Sequence, residues 1–308
     1  MALSLPLPLS PFAAGPDWVQ PSSHTVLVKA ETFEWLAQAP ENSIHAIVTD
    51  PPYSVAEYEE KSLDKLRKGK GGVWRIPPTL NGVQRAPLPR FSVLTPKERA
   101  LLGEYFEEFG RLAQRVLVPG GHLLMASNPL VSTTSFAALE SAGWEKRGEV
   151  IRIVKTLRGG DRPKGAEDEF PDVSVMPKSC WEPWGLFRKP LSEKTVAANL
   201  RRWGTGGLRR ISDTEPFRDL LEVAPARGVE KVIAPHPSLK PQRLMRDLVR
   251  AMLPKGEGVI LDPYAGSGAT LAAAQALGLH AVGVERDKEY FAMASQAIQP
   301  LSEVVISL

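Results

Sequence analysis

Residues 258–277 decide the fold, and they read GVILDPYAGSGATLAAAQAL. Residues 258–262 form a short apolar run that is typical of a buried strand, and residues 269–277 form an alanine-rich run that is typical of a helix. Between them, Gly266 and Gly268 permit a tight turn with positive φ and allow a ligand to approach the backbone. The helix start would present unpaired N–H groups to that ligand. The stretch predicts a strand–turn–helix unit of an α/β fold, with a cofactor site or a plain tight turn at its centre.

A further apolar strand, residues 280–284, ends at Glu285, where a carboxylate would meet the hydroxyls of a ribose. This favours a nucleoside ligand. The turn lacks the third glycine of the dinucleotide fingerprint, and Asp262 would repel a pyrophosphate at the strand end. An acid at that position suits a cationic amino group, such as that of S-adenosylmethionine. A nicotinamide cofactor is therefore the less favoured alternative.

The second informative stretch is IHAIVTDPPY, residues 44–53. Its apolar run predicts a buried parallel strand with Asp50 at the carboxyl end, the edge where open α/β sheets bind ligands. The two prolines impose a rigid, extended turn that leaves the carbonyl groups of Asp50 and Pro51 free to accept hydrogen bonds. Tyr53 offers a flat ring beside these acceptors. The groups suit an exocyclic amine on a planar base, with the Asp50 carboxylate and the Pro51 carbonyl each accepting one N–H.

Together with HPSLKP at residues 236–241, these motifs resemble the DNA amino-methyltransferases that carry Asp-Pro-Pro-Tyr ahead of the cofactor motif, often called the β class. The resemblance covers roughly residues 25–155 and 230–300. It implies a doubly wound, mostly parallel, Rossmann-like α/β sheet, with S-adenosylmethionine as cofactor. It also implies a flipped-out base in double-stranded DNA as substrate. Tyr264 stands where the family usually has Phe, and Lys29-Ala30-Glu31 stands where Gly-Asp is common, which leaves Glu31 without an expected role.

The resemblance assigns candidate site residues. The catalytic set is Asp50, Pro51, Pro52 and Tyr53. The cofactor-binding set is His236, Lys240, Asp262, Tyr264, Gly266, Ser267, Gly268, Thr270, Glu285 and Arg286. The Asp-Pro-Pro-Tyr form favours adenine N6 as the methylated amine, with cytosine N4 as the alternative. A non-catalytic DNA-binding protein of this fold is less favoured because the motif is intact. A protein or RNA methyltransferase is less favoured because those enzymes resemble an Asn-Pro-Pro-Tyr pattern in the opposite motif order.

Positive charge is concentrated in two stretches, although the net charge is only +3 over 308 residues. Residues 61–90 contain eight Lys and Arg against one acid, and residues 186–210 contain seven against one. This pattern predicts a polyanion partner on one surface, with solvated surface loops as the alternative. The candidate DNA contacts are Lys65, Arg67, Lys68, Lys70, Arg188, Lys189, Arg201 and Arg202.

The remaining organisation follows from breaks in the β/α rhythm. Residues 1–23 are rich in proline and lack Lys and Arg, which predicts a flexible arm and not a signal peptide. Residues 24–155 form the catalytic half, with a basic loop at 54–90 that is either a mobile flap or an ordinary insertion. Residues 156–230 contain Trp181, Trp184 and Trp203 and predict a small target-recognition insertion, or alternatively the core of a subdomain. Residues 231–300 form the cofactor half, whose last helix is expected to stop at Pro300, and residues 301–308 form a tail.

Several classes of protein are disfavoured by what the chain lacks. A single cysteine, Cys180, excludes an internal disulfide and fits a reducing cytoplasm, and we expect it to be buried. Five scattered histidines show no ligand spacing, so no metal is predicted. No stretch approaches the roughly 18 apolar residues of a membrane span. The sequence leaves open the recognition site, a homodimer and a cognate restriction endonuclease.

Overall fold

A computed structural model describes residues 9–13, 17–53, 79–80, 83–84, 95–154, 160 and 162–306. The strands are β1 Trp18–Ser22, β2 Thr25–Val28, β3 Ile44–Thr49, β4 Thr79–Leu80, β5 Val83–Gln84, β6 Leu117–Ala126, β7 Glu145–Ile153, β8 Trp181–Arg188, β9 Leu220–Glu222, β10 Val259–Asp262 and β11 His280–Val284. The α-helices are α1 Thr32–Gln38, α2 Pro96–Val116, α3 Ser132–Ser141, α4 Val196–Trp203, α5 Val229–Ile233, α6 Gln242–Met252, α7 Ala269–Ala276 and α8 Lys288–Ser302. A 3-10 turn covers Ser10–Phe12.

A nine-stranded sheet organises the protein, in the order β1-β2-β11-β10-β3-β6-β8-β7-β9. Strands β2, β11, β10, β3 and β6 are parallel to their neighbours within this run. Strand β8 is antiparallel to both β6 and β7, and β1 is an antiparallel edge strand. The predicted α/β, mostly parallel sheet is therefore confirmed. Strands β4 and β5 pair with each other in a separate two-stranded sheet.

Helices cover both faces of the sheet, because successive residues of each strand point to opposite faces. Ala46 and Val48 of β3 pack with residues of α6, α7 and α8 in one core cluster. Ile47 of the same strand, which points to the opposite face, packs with residues of α1, α2 and α3 in the other cluster. A strand that is apolar on both faces is typical of a parallel sheet with two covering layers. This is the doubly wound arrangement expected from the sequence.

Local signals explain where the longest helix begins. The Thr95 side chain accepts a hydrogen bond from the Glu98 backbone N–H, and the Glu98 side chain accepts one from the Thr95 N–H, which together form a capping box. Pro96 occupies the first turn, where its missing N–H costs nothing. The apolar face of α2 then buries Leu102, Phe106, Phe109 and Ala113. This helix forms much of the layer under the loops that follow β3 and β10.

A topological switch lies between β10 and β3. From β3 the parallel run continues to β6 on one side, while from β10 it continues to β11 on the other side. Loops that leave adjacent strands in opposite directions open a crevice at their carboxyl ends, where ligands of such sheets bind. Residues 50–53 and 263–268 follow these two strands and therefore border the crevice.

The prediction that residues 1–23 form a flexible arm is wrong for the segments of this range that the structure describes. Trp18–Ser22 forms strand β1, and Leu9 and Phe12 are buried. Leu9 and Phe12 pack in the core cluster that also contains residues of α1, α2 and α3. The helix expected to stop at Pro300 continues to Ser302, with the proline in its last turn.

Residues 156–230 do not form a separate insertion throughout, although the sequence predicts one. Trp181–Arg188 forms a strand inside the main sheet, and Trp184 is fully buried. The β/α rhythm is interrupted here because β8 enters antiparallel between β6 and β7. Cys180, which precedes this strand, is exposed and not buried as expected. That residues 156–230 form a target-recognition insertion stays a prediction, but β8 itself belongs to the main sheet.

Within the described ranges, no helix has both the length and the apolar character needed to cross a lipid bilayer. The same residues contain no group of three or more His, Cys, Asp or Glu side chains placed to hold a metal ion.

Candidate active site

The two motifs predicted from distant parts of the chain meet at the switch point. Strands β3 and β10 are parallel neighbours, with Ala46 paired to Ile260. Their carboxyl ends therefore lie side by side, and Thr49 Oγ1 donates a hydrogen bond to Asp262 Oδ1 at 2.7 Å. This contact connects the start of the Asp-Pro-Pro-Tyr turn directly to the start of the glycine-rich turn.

Asp50 is held from both sides. The Tyr53 hydroxyl donates to Asp50 Oδ1 at 2.5 Å, and Lys240 Nζ lies 2.6 Å from Asp50 Oδ2. The Asp50 side chain remains 21% exposed, Pro51 is buried, and Pro52 and Tyr53 are half-buried. A carboxylate oxygen can accept more than one hydrogen bond, so Asp50 keeps the capacity to accept an amine N–H. The turn thus presents an oriented carboxylate that is still accessible from the crevice.

Lys240 belongs to a buried charge network. Its side chain is only 10% exposed, and its Nζ lies 3.4 Å from Glu182 Oε2 in addition to its contact with Asp50. Burial acts to lower the pKa of Lys240, but the Asp50 and Glu182 carboxylates outweigh it and the pKa is raised. Burial likewise acts to raise the pKa of Glu182, but Lys240 and Arg152 outweigh it and the pKa is lowered. Both side chains are therefore charged at neutral pH. The structure thus places Lys240, which the sequence assigns to the cofactor site, in contact with Asp50 of the Asp-Pro-Pro-Tyr turn.

Asp262 has a structural part in the loop. Its Oδ1 accepts hydrogen bonds from Thr49 and from the Tyr264 backbone N–H, and its Oδ2 accepts one from the Thr270 hydroxyl at 2.5 Å. Only 3% of Asp262 is exposed, and burial raises its pKa to about 6 against the effect of these hydrogen bonds. The oxygens of Asp262 thus face the two threonines and the loop backbone.

The glycine-rich turn is built around Glu285. Gly266 and Gly268 have φ values of +52° and +79°, conformations that favour glycine. The Gly266 N–H donates to Glu285 Oε2 and the Asp287 N–H to Oε1, each at 2.8 Å. Burial is the main cause that raises the pKa of Glu285 to about 7, while these backbone hydrogen bonds oppose it. Each oxygen retains acceptor capacity, which fits a group that receives hydroxyl donors.

His236 lies over the glycine-rich turn. A Cβ placed on Gly266 would be 3.6 Å from the His236 ring, and the ring packs edge-on against Tyr290 with 4.4 Å between centroids. Its Nδ1 accepts a hydrogen bond from the Ser238 backbone N–H at 3.2 Å. Burial is the main cause that lowers the pKa of His236 to about 4, so the ring is neutral at physiological pH. The HPSLKP segment therefore places His236 against the glycine-rich turn and Lys240 against Asp50.

An aromatic cluster supports the other side of the turn. The Tyr264 hydroxyl lies 2.7 Å from the Tyr105 hydroxyl, and the Tyr264 ring packs 5.7 Å from Phe109. Burial raises the pKa of Tyr105 to about 12, and the exposed Arg286 lies close enough for its charge to act against that shift. Ser267 of the glycine-rich turn is also buried. Tyr105 was not anticipated, because a tyrosine inside a helix carries no signal of its distant partner.

Glu182 and Arg152 were also not anticipated. Arg152 is 4% exposed and lies on β7, and Glu182 lies on the adjacent strand β8. Buried charged residues inside strand patterns indicate a polar site. That signal does not identify the residues that complete the site, since Glu182 contacts Lys240 and Lys240 contacts Asp50.

The second basic stretch lies away from the crevice. Strand β6 pairs Ala126 with Trp184 near Asp50, but it pairs His122 with Arg188 four residues earlier, about 13 Å back along the strand. Arg188 is buried and donates to Glu145 and to the Gly206 carbonyl, and Lys189 donates to the Leu117 carbonyl at 2.7 Å. Both residues are committed to the fold, and the expected DNA contacts are not retained for them.

Helix α4 extends the same side of the molecule. It carries the exposed Arg201 and Arg202 and is anchored through Asn199 to the Pro119 carbonyl at the beginning of β6. Lys65, Arg67, Lys68 and Lys70, the first basic set, lie outside the described residues. That both basic stretches lie on one surface stays a prediction, because the first stretch lies outside the described residues.

Similarity to known proteins extends over the segments that build this site. A family model described as DNA methylase matches residues 44–296. Among curated proteins, the Type II methyltransferase M.HindIII of Haemophilus influenzae is 26% identical over 276 residues, covering 82% of this chain and 88% of that protein. The Type II methyltransferase M2.DpnII of Streptococcus pneumoniae is 22% identical over 278 residues, covering 90% and 91%.

Two solved structures share the fold. The PvuII DNA methyltransferase, described as cytosine-N4-specific, superposes with a TM-score of 0.57 at 16% identity, covering 93% of this chain and 89% of that one. The complex of M1.HpyAVI with S-adenosylmethionine superposes with a TM-score of 0.53 at 18% identity, covering 89% and 98%. At these identities the similarity concerns the fold alone.

Proposed function

The chain belongs to the DNA methylase family of N6 and N4 methyltransferases, and on that premise we propose that it methylates the N6 amine of adenine in double-stranded DNA. The observation that carries this proposal is the setting of Asp50. Its carboxylate is held by Tyr53 and Lys240 at the mouth of the crevice, next to the glycine-rich turn around Glu285. An acceptor for an amine and an acceptor for a ribose thus border the same crevice.

The residues of the turn fit S-adenosylmethionine. Glu285 keeps acceptor capacity for ribose hydroxyls, and the backbone at Gly266 and Gly268 allows close approach of a ligand. The neutral His236 ring and the Tyr264 ring would enclose the ligand on either side of the turn. When bound, S-adenosylmethionine supplies an electrophilic methyl group on a sulfonium centre. We assign these five residues to the binding of S-adenosylmethionine, and we assign Asp262 and Thr270 to support of the turn.

The protein's task is to make a weak nucleophile reactive. The lone pair of an exocyclic amine is delocalised into the base, so the amine must be oriented. The Asp50 carboxylate and the Pro51 carbonyl each accept one N–H and leave the lone pair directed toward the methyl donor. Charge-assisted hydrogen bonds contribute about 1.5–3 kcal/mol, and orientation of the reactants contributes about 7–11 kcal/mol of the barrier. Orientation is therefore the larger effect.

The base must leave the duplex before it can reach Asp50, at a cost of a few kcal/mol. Stacking on the half-buried Tyr53 ring would offset part of that cost, at about 1–3 kcal/mol per base. The hydrogen bond from the Tyr53 hydroxyl to Asp50 fixes the ring next to the carboxylate that receives the amine. Tyr53 therefore has two parts in the proposal, as a platform for the base and as a support for Asp50.

Adenine is proposed over cytosine on the form of the motif. Asp-Pro-Pro-Tyr resembles the adenine enzymes of the family, whereas Ser-Pro-Pro-Tyr is typical of cytosine N4 enzymes. Either base could present its amine to Asp50 and Pro51, because each has an N–H group beside a ring nitrogen. A purine would cover more of the Tyr53 ring than a pyrimidine.

We assign DNA contacts to two regions. The first is the basic set Lys65, Arg67, Lys68 and Lys70, which follows the catalytic turn in sequence. The second is the largely exposed segment 162–180, which leads into Trp181 at the same edge of the sheet as Asp50. Exposed apolar side chains in this segment, such as Phe170 and Val175, support a contact surface.

The test is nucleoside mass spectrometry of unmethylated genomic DNA incubated with the protein and S-adenosylmethionine. We expect N6-methyladenine from the wild type and at least tenfold slower formation by Asp50→Asn, with binding of S-adenosylmethionine within a few-fold of the wild type. Asp213→Asn, which changes an exposed carboxylate away from the crevice, serves as the control. N4-methylcytosine without N6-methyladenine would overturn the choice of base, and turnover of Asp50→Asn within tenfold of the wild type would overturn the role of Asp50.

A further inference from the structure

Asp50 is the end of a chain of buried charges that alternate in sign. Its Oδ2 lies 2.6 Å from Lys240 Nζ, which lies 3.4 Å from Glu182 Oε2. Glu182 Oε1 in turn lies 3.5 Å from Arg152 Nη1. The side chains of Arg152, Lys240 and Glu182 are 5%, 10% and 18% exposed. The chain runs from Arg152 on β7, through Glu182 on β8 and Lys240, to the Asp50 carboxylate that faces the crevice.

The inner end of the chain is rigidly held. Arg152 donates from Nε to the Val223 carbonyl and from Nη2 to the Ala224 carbonyl, each at 3.1 Å. Glu182 Oε1 also accepts a hydrogen bond from Trp184 Nε1 at 2.8 Å. Both residues lie on paired strands, since Arg152 faces Glu182 across β7 and β8. Glu182 is therefore fixed by the sheet before it meets Lys240.

Buried charges are costly unless each has a partner with good geometry. Lys240 has two carboxylate partners, and its ammonium lies 5.9 Å from the centre of the Trp184 ring. An ammonium bound on two sides has little freedom, so the Asp50 oxygen that it contacts has little freedom either. The Tyr53 hydroxyl restrains the other oxygen. The acceptor positions left on Asp50 consequently point in a fixed direction.

We propose that Lys240 and Glu182 are positioning residues for the target amine: Lys240 orients the Asp50 carboxylate, and Glu182 orients Lys240. The inference rests on the proposed function insofar as Asp50 receives the amine, and it holds for adenine or cytosine alike. Lys240 acts through Asp50 and not as a ligand of S-adenosylmethionine. Because it is paired with two carboxylates, it serves as a fixed cation and not as a base.

The decisive variant is Lys240→Met, which retains the length of the side chain and removes its charge. We expect kcat to fall about tenfold to a hundredfold, the range for a lost charge-assisted hydrogen bond. The Kd of S-adenosylmethionine, measured by calorimetry, should stay within twofold of the wild type. Lys146→Met is the matched control, because Lys146 also lies between a carboxylate and a ring, 2.9 Å from Glu149 and 5.5 Å from the centre of Phe136. It should leave kcat unchanged.

A kcat of Lys240→Met within threefold of the wild type would overturn the proposal. So would a Kd of S-adenosylmethionine that weakens as much as kcat falls, since that result would make Lys240 a cofactor ligand. Lys240→Arg keeps the charge and is expected to give a kcat between those of the wild type and Lys240→Met. If Lys240→Met fails to fold, Lys240→Gln removes the same charge with a polar side chain, and a kcat within threefold of the wild type in that variant would overturn the proposal.

Glu182→Gln tests the inner partner. It keeps an acceptor for Trp184 and removes the charge beside Lys240. We expect a smaller loss of kcat than in Lys240→Met, and no further loss when the two changes are combined, because Glu182 acts through Lys240. Multiplying losses in the double variant would overturn that order of action. A wild type without any methyl transfer would count against the proposed function, whereas an active wild type with unaffected variants would count against this inference alone.

Discussion

Lowering the pH from 8 to 6 is expected to weaken the binding of S-adenosylmethionine about tenfold through Glu285. Burial raises the pKa of this carboxyl to about 7, against the hydrogen bonds from the Asp287 and Gly266 backbone N–H groups. A ribose hydroxyl donates a stronger hydrogen bond to the ionised carboxylate than to the protonated carboxyl, so protonation of Glu285 weakens ligand binding. The ionised fraction is about 90% at pH 8 and about 10% at pH 6 for such a group. The affinity should follow this fraction.

Glu285→Gln removes the titration and preserves the size of the side chain. At pH 8 we expect the variant to bind about ten to a hundred times more weakly, because a charge-assisted hydrogen bond contributes about 1.5–3 kcal/mol. Isothermal titration calorimetry at pH 6, 7 and 8 on both proteins measures the effect. Titration of the ligand's own amino group affects both proteins equally, so the ratio of the two Kd values isolates Glu285. A ratio that stays constant from pH 6 to pH 8 would refute the reasoning.

Three other outcomes are expected. His122→Leu should reduce the loss of unfolding free energy between pH 7 and pH 5 by about 2 kcal/mol, measured by urea denaturation. Burial, together with the charges of Arg188 and Arg147, lowers the pKa of His122 to about 3. As the pH falls below about 6.5, His122 is therefore protonated in the unfolded chain but not in the folded protein, which favours unfolding. An equal pH dependence of stability in the wild type and in His122→Leu would contradict this. Gly268→Ala should lower the Tm more than Gly278→Ala. Both glycines have positive φ, but only a Cβ at position 268 would clash with Ile298, with 2.4 Å to its Cγ1. Equal losses of Tm in the two variants would count against that clash. Neutralising Lys65, Arg67, Lys68 and Lys70 together should reduce the slope of log K against log salt concentration for DNA binding by about 0.9 per lost phosphate contact. The control variant Arg201→Ser with Arg202→Ser should leave this slope unchanged. Fluorescence anisotropy at several salt concentrations measures both slopes, and a change in the control but not in the first variant would contradict the assignment.

The elements that border the site could be predicted because their signals are local. The run at 44–49 is bounded by turn residues, and the structure gives β3 the same limits. The strand that ends at Asp262 and the glycine-rich turn after it are found as expected. Parallel strands deliver their following loops to one edge, so the meeting of the two motifs followed from strand type alone.

The partners across the sheet could not be predicted in the same way. The apolar and aromatic residues within 183–187 indicate burial, but they do not show that the strand lies antiparallel between two others. A run of basic residues gives the sign of a surface, but it does not say which end of the sheet the surface occupies. The contact between Lys240 and Asp50 joins residues 190 positions apart, and no local pattern contains that information.

The hydrogen bond between Thr49 and Asp262 has a consequence for the timing of activity in a growing chain. It joins residues 213 positions apart, and strands β2 and β3 pair with β11 and β10 from the same late segment. At synthesis rates of about 5–20 residues per second, roughly ten to forty seconds separate the two partners. Throughout that interval the nascent protein carries Asp50 without its neighbouring strand or the cofactor turn. Interrupted translation therefore yields inert fragments, and DNA meets an active enzyme only after residues 259–285 have been made.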